Sequence, residues 1–479
     1  MSQSRDFREF MQPVAGSSYG ENSPKLFKLN IDCLETIFDY LSLTDLHSFG
    51  QTCTRMQKVA GTYFNQNYSS ANHSWCINGI HTNWIATWAF NQFVPSISID
   101  QFHYNLDINK CNAINRIHLY DLRLDQNKIK RFKRILDRVE TFQFNRCAVD
   151  DFYDLILKHC TNLKRLYVQR NTSIYPEESR YTWLQYEYPT LEHLEFIPSS
   201  DDAHVFELNI FFMLNKSVQR FSTSEHFLWN NRLMFLNFDA KLDILEIKEN
   251  NVFNRNNSPE SGTLFWKLLN QLYNQGFYKR LYYCIDNDID KGLSMELGAV
   301  KGLESLQFFT FIDVSICNGL AQLTNLRELR IKTSNNIDMD ILARGLVKLE
   351  RLCIEGTIND IIPFIRRSTI LKKINLLQKC QMNQLFENVD CKTFNLVKLN
   401  AERARLPGAQ KVIIHVSEDL YLKTKWSARN GDTDLSVIEL RRADSYQWDP
   451  YFSVERSKAF LLQKISQNSS FYVFDLQSF

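Results

Sequence analysis

The stretch LRELRIKTSNNIDMDILARGLVKLERLCI, residues 326–354, decides the fold because it contains one short pattern twice. Apolar residues stand at Leu326, Leu329 and Ile331, and the same spacing returns from Leu349 onward. The last two residues of each triplet lie two positions apart, so they point to one face of a short strand. Between the triplets, DILARGLV has apolar residues three and four apart, which favours a helix. The stretch therefore predicts a strand–helix unit and the start of the next.

The triplet recurs along most of the chain. Clear copies begin at Val139, Leu163, Leu191, Leu303, Leu326, Leu349 and Leu371, and weaker ones at Val94, Ile114, Val218, Leu242 and Tyr278. From Ile114 onward, successive copies start 22 to 28 residues apart, with one interval of 36. Beyond the last clear copy, the series continues either at Leu396 and Leu399 or at Val412 and Ile414, and Leu435, Ile438 and Leu440 mark a candidate last strand.

One strand–helix unit is too small to bury its own apolar face, so neighbouring units must stack and share a core. The repeats therefore predict an α/β solenoid, with a curved parallel sheet and outer helices. The alternative is a large α/β domain in which the triplets fall by chance. Their near-constant spacing favours the solenoid.

Bulk composition narrows the class of protein. A chain of 479 residues is too long for one ordinary core unless it is built from repeats. The net charge of +2 argues against a dedicated nucleic-acid binder. The N-terminus has no apolar signal-peptide core, and no run of about 18 apolar residues occurs, so we expect no export signal and no membrane span. The 11 scattered cysteines then predict reduced thiols in an intracellular protein, cytoplasmic, nuclear or both.

Catalytic and metal-binding motifs are missing from the sequence. It contains no GxSxG, GxxxxGK[ST], HExxH or GxGxxG, and its 10 histidines form no cluster with ligand spacing. Cys380 and Cys391 are too far apart to indicate zinc without histidine partners. We therefore expect no catalytic residues, no metal and no cofactor.

Residues 26–68 follow a different pattern. Apolar residues at intervals of three, four and seven form one helical face at Leu34, Ile37, Phe38 and Leu41. Thr44 is the predicted cap of a second helix that includes Leu46, and a third helix begins near Cys53. Three short helices cannot make a self-sufficient core. The unit therefore either caps the repeats or binds a partner.

These patterns divide the chain into five parts. We expect residues 1–25 to be a flexible polar arm, 26–68 the helical unit, 69–93 a helical linker packed on the solenoid, 94–445 the repeats and 446–479 a C-terminal cap or tail. The 36-residue interval contains the polar insert NNVFNRNNSPESG, residues 250–262. It is either a specificity loop or a tolerated insertion, and insertion is favoured.

Two family resemblances cover most of the chain after residue 26. FNRCAVDDFYDLILKHCTNL, residues 144–163, resembles the cysteine-containing leucine-rich repeat, with Cys147 in its Cys/Asn position and Cys160 before the next repeat. Residues 29–60 resemble an F-box, whose pattern is roughly L-P-x-E-x-L-x-x-I-F-x-x-L, then x-x-x-D-L, then V-C-[KR]-R-[WF]. The matching residues are Leu29, Leu34, Ile37, Phe38, Leu41, Asp45, Leu46, Cys53 and Arg55. Four residues depart from the pattern: Asn30 replaces proline, Asp32 glutamate, Thr52 valine and Met56 the aromatic residue.

The resemblance implies a function without chemistry in the chain itself. An F-box docks on the Skp-type adaptor of an SCF (Skp–cullin–F-box) ubiquitin ligase, and the repeats hold a protein to be ubiquitinated near the ligase by proximity. The implied adaptor-facing residues are Leu29, Asn30, Leu34, Ile37, Phe38, Leu41, Leu46 and Thr52. The alternative is a non-ligase leucine-rich repeat scaffold whose F-box is degenerate or serves as an N-terminal cap.

Substrate-facing residues are predicted from strand alternation. Residues that alternate with the buried triplet positions face the concave surface, and arginine and tyrosine are enriched at interface hot spots. The candidates are Arg116, Tyr120, Arg165, Tyr167, Arg280, Tyr282, Arg330 and Arg351. For each one the alternative is ordinary solvated surface.

Overall fold

The computed structural model describes most of the chain between residues 26 and 442. The described residues are 26, 29–68, 90–100, 112–120, 122–124, 129–130, 133–149, 151–169, 181–198, 205–248, 261–285, 297–333, 337–378, 393–428 and 431–442. The predicted arm at 1–25, most of the predicted linker at 69–93, the pair Cys380 and Cys391 and the predicted tail at 446–479 lie outside these residues.

A single large parallel sheet runs through the described residues. Its fourteen strands are hydrogen-bonded in chain order, each one next to the strand before and the strand after. They are β1 (Ser96–Asp100), β2 (Arg116–Tyr120), β4 (Thr141–Asn145), β6 (Arg165–Gln169), β7 (His193–Ile197), β8 (Arg220–Ser224), β9 (Leu242–Lys248), β10 (Tyr278–Ile285), β11 (Leu303–Ile312), β12 (Glu328–Thr333), β13 (Arg351–Gly356), β14 (Lys373–Gln378), β15 (Val412–Val416) and β16 (Ile438–Arg442). Two short strands, β3 (Arg123–Leu124) and β5 (Ala148–Val149), pair separately.

Every predicted triplet lies at a strand, so the strand prediction is confirmed. Across β12, β13 and β14, one row consists of Leu329, Leu352 and Ile374 and the next of Ile331, Ile354 and Leu376, all buried. After β14 the structure decides between the two alternatives, because Leu396 and Leu399 lie in a helix and Val412 begins β15. Each row buries one side-chain position per strand, which explains why the spacing of the triplets is so regular.

Helices connect many of the strands. Their bounds are α1 (Ile31–Phe38), α2 (Leu43–Gly50), α3 (Thr54–Asn67), α4 (Lys133–Leu136), α5 (Phe152–Leu155), α6 (Glu207–Leu214), α7 (Glu225–Asn230), α8 (Arg232–Leu236), α9 (Ser261–Asn274), α10 (Val314–Leu320), α11 (Met339–Gly345), α12 (Ile358–Arg367), α13 (Leu396–Ala404) and α14 (Glu418–Ser427). The helix predicted at 340–347 is α11. After β5, α5 is followed by a 3-10 turn, Leu157–His159. The insert predicted at 250–262 lies outside the described residues except for its last two, which begin α9.

Two apolar clusters hold the chain together. The larger one runs from Ile97 to Leu440 between the sheet and its helices. The smaller one belongs to α1, α2 and α3 and also takes in Phe90 and Val94, just before β1. The opposite face of the sheet carries many of the buried polar side chains, such as Gln169, Glu195 and Glu246. Among the described residues, no helix combines the length and apolar character needed to cross a bilayer.

Candidate functional site

Polar side chains define where the first two helices begin. Asn30 has an extended backbone, and its Oδ1 accepts a hydrogen bond from the Cys33 amide at 2.8 Å, so it caps α1. Ser42 caps α2 by accepting from the Asp45 amide at 3.1 Å, and its hydroxyl donates to the Asp45 carboxylate. The prediction of Thr44 as this cap was wrong, because Ser42 supplies the capping oxygen one residue before the helix begins.

The eight implied adaptor-facing residues divide by burial. Leu34, Phe38 and Leu46 are fully buried in the small cluster. Leu29 and Leu41 are half-buried and pack against the same cluster. Asn30 and Thr52 are exposed, and half-buried Ile37 lies outside that cluster. In the isolated chain, Asn30, Ile37 and Thr52 are therefore the members of this set with the most surface to offer a partner.

Short polar contacts hold in place the surface that Asn30, Ile37 and Thr52 form. The Thr52 hydroxyl donates to the Phe49 carbonyl at 2.7 Å, next to the end of α2. Arg55 Nη2 donates to the Leu29 carbonyl at 2.7 Å and so ties α3 to the residue before the α1 cap. Within the cluster, the Phe38 ring packs edge-on against Tyr63, with ring centroids 5.4 Å apart. The surface therefore lies on a packed three-helix unit.

The eight substrate-facing candidates all lie on one face of the sheet. The register forms one row from Arg116 through Arg165 to Arg280, and another that contains Tyr167, Tyr282 and Arg351. Tyr120 and Arg330 each lie two residues further along their strand than the residue that belongs to the second row. This common face follows from the two-residue side-chain period of a strand.

Most of these candidates already have partners within the chain. Arg351 Nη1 lies 2.9 Å from Glu328, and Arg280 forms an ion pair with Asp243. Arg330 lies over the Phe309 ring, and Arg220 lies 5.3 Å from the Tyr282 ring centroid. Tyr120 accepts a hydrogen bond from Arg146. Of the candidate arginines, Arg280 and Arg351 are therefore balanced by a neighbouring carboxylate.

A buried charged network lies in the middle of the same face. Lys248 Nζ is 2.6 Å from Glu195 Oε2, and the two side chains are 6% and 0% exposed. The Gln169 side-chain amide donates to the other Glu195 oxygen. Arg220 Nη2 is 2.7 Å from Glu246 Oε2, which also accepts from the Ser222 hydroxyl at 2.5 Å. Each buried carboxylate is thus bound by a cation and by a neutral donor.

Burial and charge set the protonation states in this network. Burial alone would raise the pKa of Glu246, but Arg220 and Lys248 hold it well below its usual range. Burial, helped by the nearby Arg220 guanidinium, lowers the pKa of His193 well below 6.5. Within this network Glu246 is therefore ionised and His193 is neutral.

Histidine and carboxylate ligand atoms also come together in this network. The ligand atoms of His193, Glu195 and Glu246 lie within 4.8 Å of one another, as a metal site would require. Lys248 and Arg220 already neutralise the two carboxylates, so a cation is not needed for charge balance. Sequence spacing missed this group because its members come from β7 and β9. The sequence signal that could have revealed this group is the alternation of polar residues along each strand.

Comparison with known protein families gives a match at the first three helices. Residues 26–62 match the F-box domain, a range that includes α1, α2 and most of α3. A search of curated proteins finds no match to the chain.

Proposed function

We propose that the chain is the substrate-recognition subunit of an SCF-type ubiquitin ligase. The F-box match over residues 26–62 carries this proposal. The three-helix unit binds a Skp-type adaptor and, through it, a cullin. The chain contributes no reacting group and acts by holding a target near the ubiquitin-charged enzyme. Its place of action is the cytoplasm, the nucleus or both.

The rest of the chain acts as a leucine-rich repeat solenoid that binds the target. Two observations support this part of the proposal: the fourteen strands pair in chain order, and their apolar triplets recur at leucine-rich repeat spacing. The target binds the polar face with its arginine and tyrosine rows. The buried network makes the centre of this face rigid, and the arginines around it make the contacts, with Arg165 and Arg351 the exposed ones among the candidates.

A non-ligase scaffold is the second candidate function. It is favoured by the burial of Leu34, Phe38 and Leu46, which commits part of the F-box pattern to the unit's own core. In that case the three helices serve only as an N-terminal cap. The two functions differ in whether a Skp-type adaptor binds the exposed face of α1.

Adaptor capture by the full-length chain tests the proposal. A recombinant Skp-type adaptor is expected to bind the wild type, and Ile37→Glu to weaken binding at least about tenfold because it places a charge in an apolar contact. Gln66→Glu introduces the same charge at an exposed position of α3 beyond the F-box match and is expected to bind like the wild type. Failure of the wild type to bind the adaptor, or equal binding by Ile37→Glu, would favour the scaffold.

A further inference from the structure

The last strand of the sheet contacts the end of the first helix, about 400 residues earlier in the chain. Arg442 Nη2 donates to the Asp39 carbonyl at 2.7 Å and to the Phe38 carbonyl at 3.3 Å. These are carbonyls at the C-terminus of α1, where a helix lacks internal partners and favours a positive charge. Arg442 is only 7% exposed. A buried guanidinium from β16 therefore caps α1.

The start of the second helix is capped from the same end of the chain. Glu418, the first residue of α14, accepts a hydrogen bond from the Leu43 amide at 3.0 Å. Leu43 begins α2, so a carboxylate lies at a helix N-terminus, which the helix dipole favours. Glu418 Oε1 also accepts from the Tyr68 hydroxyl and lies 3.1 Å from Arg442. One ion pair thus serves the facing ends of two helices.

The residues between α1 and α2 are enclosed by α14 and the residues that follow it. Lys425 Nζ lies 3.1 Å from Asp39 and 4.6 Å from the Tyr40 ring centroid. The Trp426 ring packs edge-on against Tyr40. Gly431 has a φ of +66°, and a Cβ there would lie 1.8 Å from the Tyr40 hydroxyl oxygen. The close approach of Tyr40 therefore requires a glycine at this position.

The opposite end of the sheet holds the same three-helix unit. Phe90 and Val94, just before β1, are buried in its apolar cluster. Asn65 of α3 donates to the Phe93 carbonyl at 2.7 Å. A Cβ at Gly61 would lie 2.1 Å from the Phe93 ring, so that ring packs directly on the α3 backbone. The unit therefore contacts the chain next to both the first and the last strand.

We propose that the three-helix unit is held between the two ends of the sheet and closes the chain on itself, with Arg442 and Glu418 as the residues that position it. Asn30, Ile37 and Thr52 do not take part in the contacts with β16 and α14 described above. The unit can therefore be held in place while this surface receives a partner.

The consequence for the ligase rests on the proposed function. A unit held at both ends keeps a bound adaptor at one orientation relative to the polar face of the sheet. Transfer by proximity depends on such a fixed orientation, because a loose joint would spread the target over a large volume.

Hydrogen exchange of the full-length chain without adaptor tests this inference, and its result does not depend on whether an adaptor binds. Arg442→Ala is expected to speed amide exchange at least about tenfold in residues 38–45 and 63–68, because local opening then becomes easier. Exchange in β6–β9 should stay unchanged. Arg441→Ala is the matched control, since the neighbouring Arg441 side chain is 54% exposed and pairs with Glu439 on the same strand.

Two further variants separate positioning from general destabilisation. Arg442→Lys keeps a cation near the α1 carbonyls and is expected to retain much of the protection. If Arg442→Ala does not fold, Tyr68→Phe removes only the hydroxyl that joins Arg442 to Glu418 and should give a smaller increase in the same residues. Four results would each overturn the inference. For Arg442→Ala they are exchange in residues 38–45 that matches the Arg441→Ala control, or an equal increase in exchange throughout the sheet. For the other variants they are no recovery of protection in Arg442→Lys, or no change in exchange in Tyr68→Phe.

Discussion

Asn30 Oδ1 lies 2.8 Å from the Cys33 backbone nitrogen and accepts its hydrogen bond at the start of α1. The F-box pattern usually has proline at this position, which orders the backbone but offers no side-chain acceptor. Asn30 has φ of −69°, close to the value that a proline ring imposes. The asparagine thus keeps a proline-like backbone and adds a cap, so this departure from the pattern does not weaken the start of the helix.

Removing this cap should loosen α1 locally. Asn30→Ala is expected to lower the local stability of α1 by about 1 kcal/mol, because the Cys33 amide loses its acceptor. Asn30→Asp should keep the stability, since aspartate also caps and its charge favours a helix N-terminus. Amide exchange of residues 33–36 measures the difference. Equal exchange in the alanine and aspartate variants would show that the cap contributes nothing.

Arg403, near the end of α13, should be highly sensitive to substitution. It is fully buried and donates to the carbonyls of Ile365, Ser368, Leu371 and Gln410. Arg403→Met is expected to cost about 3 kcal/mol or more in the free energy of unfolding, because several buried carbonyls lose their donor.

The control for Arg403 is exposed Arg405, two residues later. Arg405→Met should change the unfolding free energy by no more than about 0.5 kcal/mol. Urea denaturation, with amide exchange around β14 and β15, measures both variants. A cost for Arg403→Met no larger than that of Arg405→Met would contradict the structural role of the buried guanidinium.

The buried pair Lys248 and Glu195 should show strong coupling. Lys248→Met alone is expected to destabilise the chain by about 3–5 kcal/mol, because Glu195 then loses the cation that neutralises it. The double variant with Glu195→Gln should recover much of this loss. A double-mutant cycle followed by urea denaturation measures the coupling. The control is Lys372→Met at the more exposed pair with Glu350, where about 1 kcal/mol or less is expected.

Acid should destabilise the sheet through His118. Burial, with Arg116 nearby, lowers the pKa of His118 to about 4, below its usual value of 6.5. The unfolded chain therefore binds a proton between these values and the folded chain does not. The stability contributed by neutral His118 is complete above pH 6.5 and is lost as the pH falls toward 4.

At pH 5 this loss should reach about 2 kcal/mol for this histidine. His118→Gln cannot take up the proton, so its urea midpoint should fall less than that of the wild type between pH 7 and pH 5. Exposed His226 supplies the control, because His226→Gln should follow the wild type. A parallel fall in all three proteins would exclude His118 as a source of the acid sensitivity.

Local patterns predicted most of the strands and the three-helix unit. The last two residues of a triplet, such as Leu329 and Ile331, need only the two-residue strand period, and their partners lie in the neighbouring repeats. The cap of α2 was misplaced by two residues, since serine and threonine are both good caps and only the backbone geometry separates Ser42 from Thr44. The network around Glu195 was missed because it joins residues far apart in the sequence, such as Glu195 and Lys248, which are 53 residues apart.

The sequence by itself determined the repeating strands and the helical face of α1, because both depend on side-chain spacing within a few residues. It did not determine which side chains of α1 stay accessible, since the packing of α2 and α3 makes that choice. The tertiary structure also decided that Arg442 caps α1. No local pattern predicts a hydrogen bond to a carbonyl 403 residues away. That contact forms because the end of the fourteen-stranded sheet meets the unit that precedes its first strand.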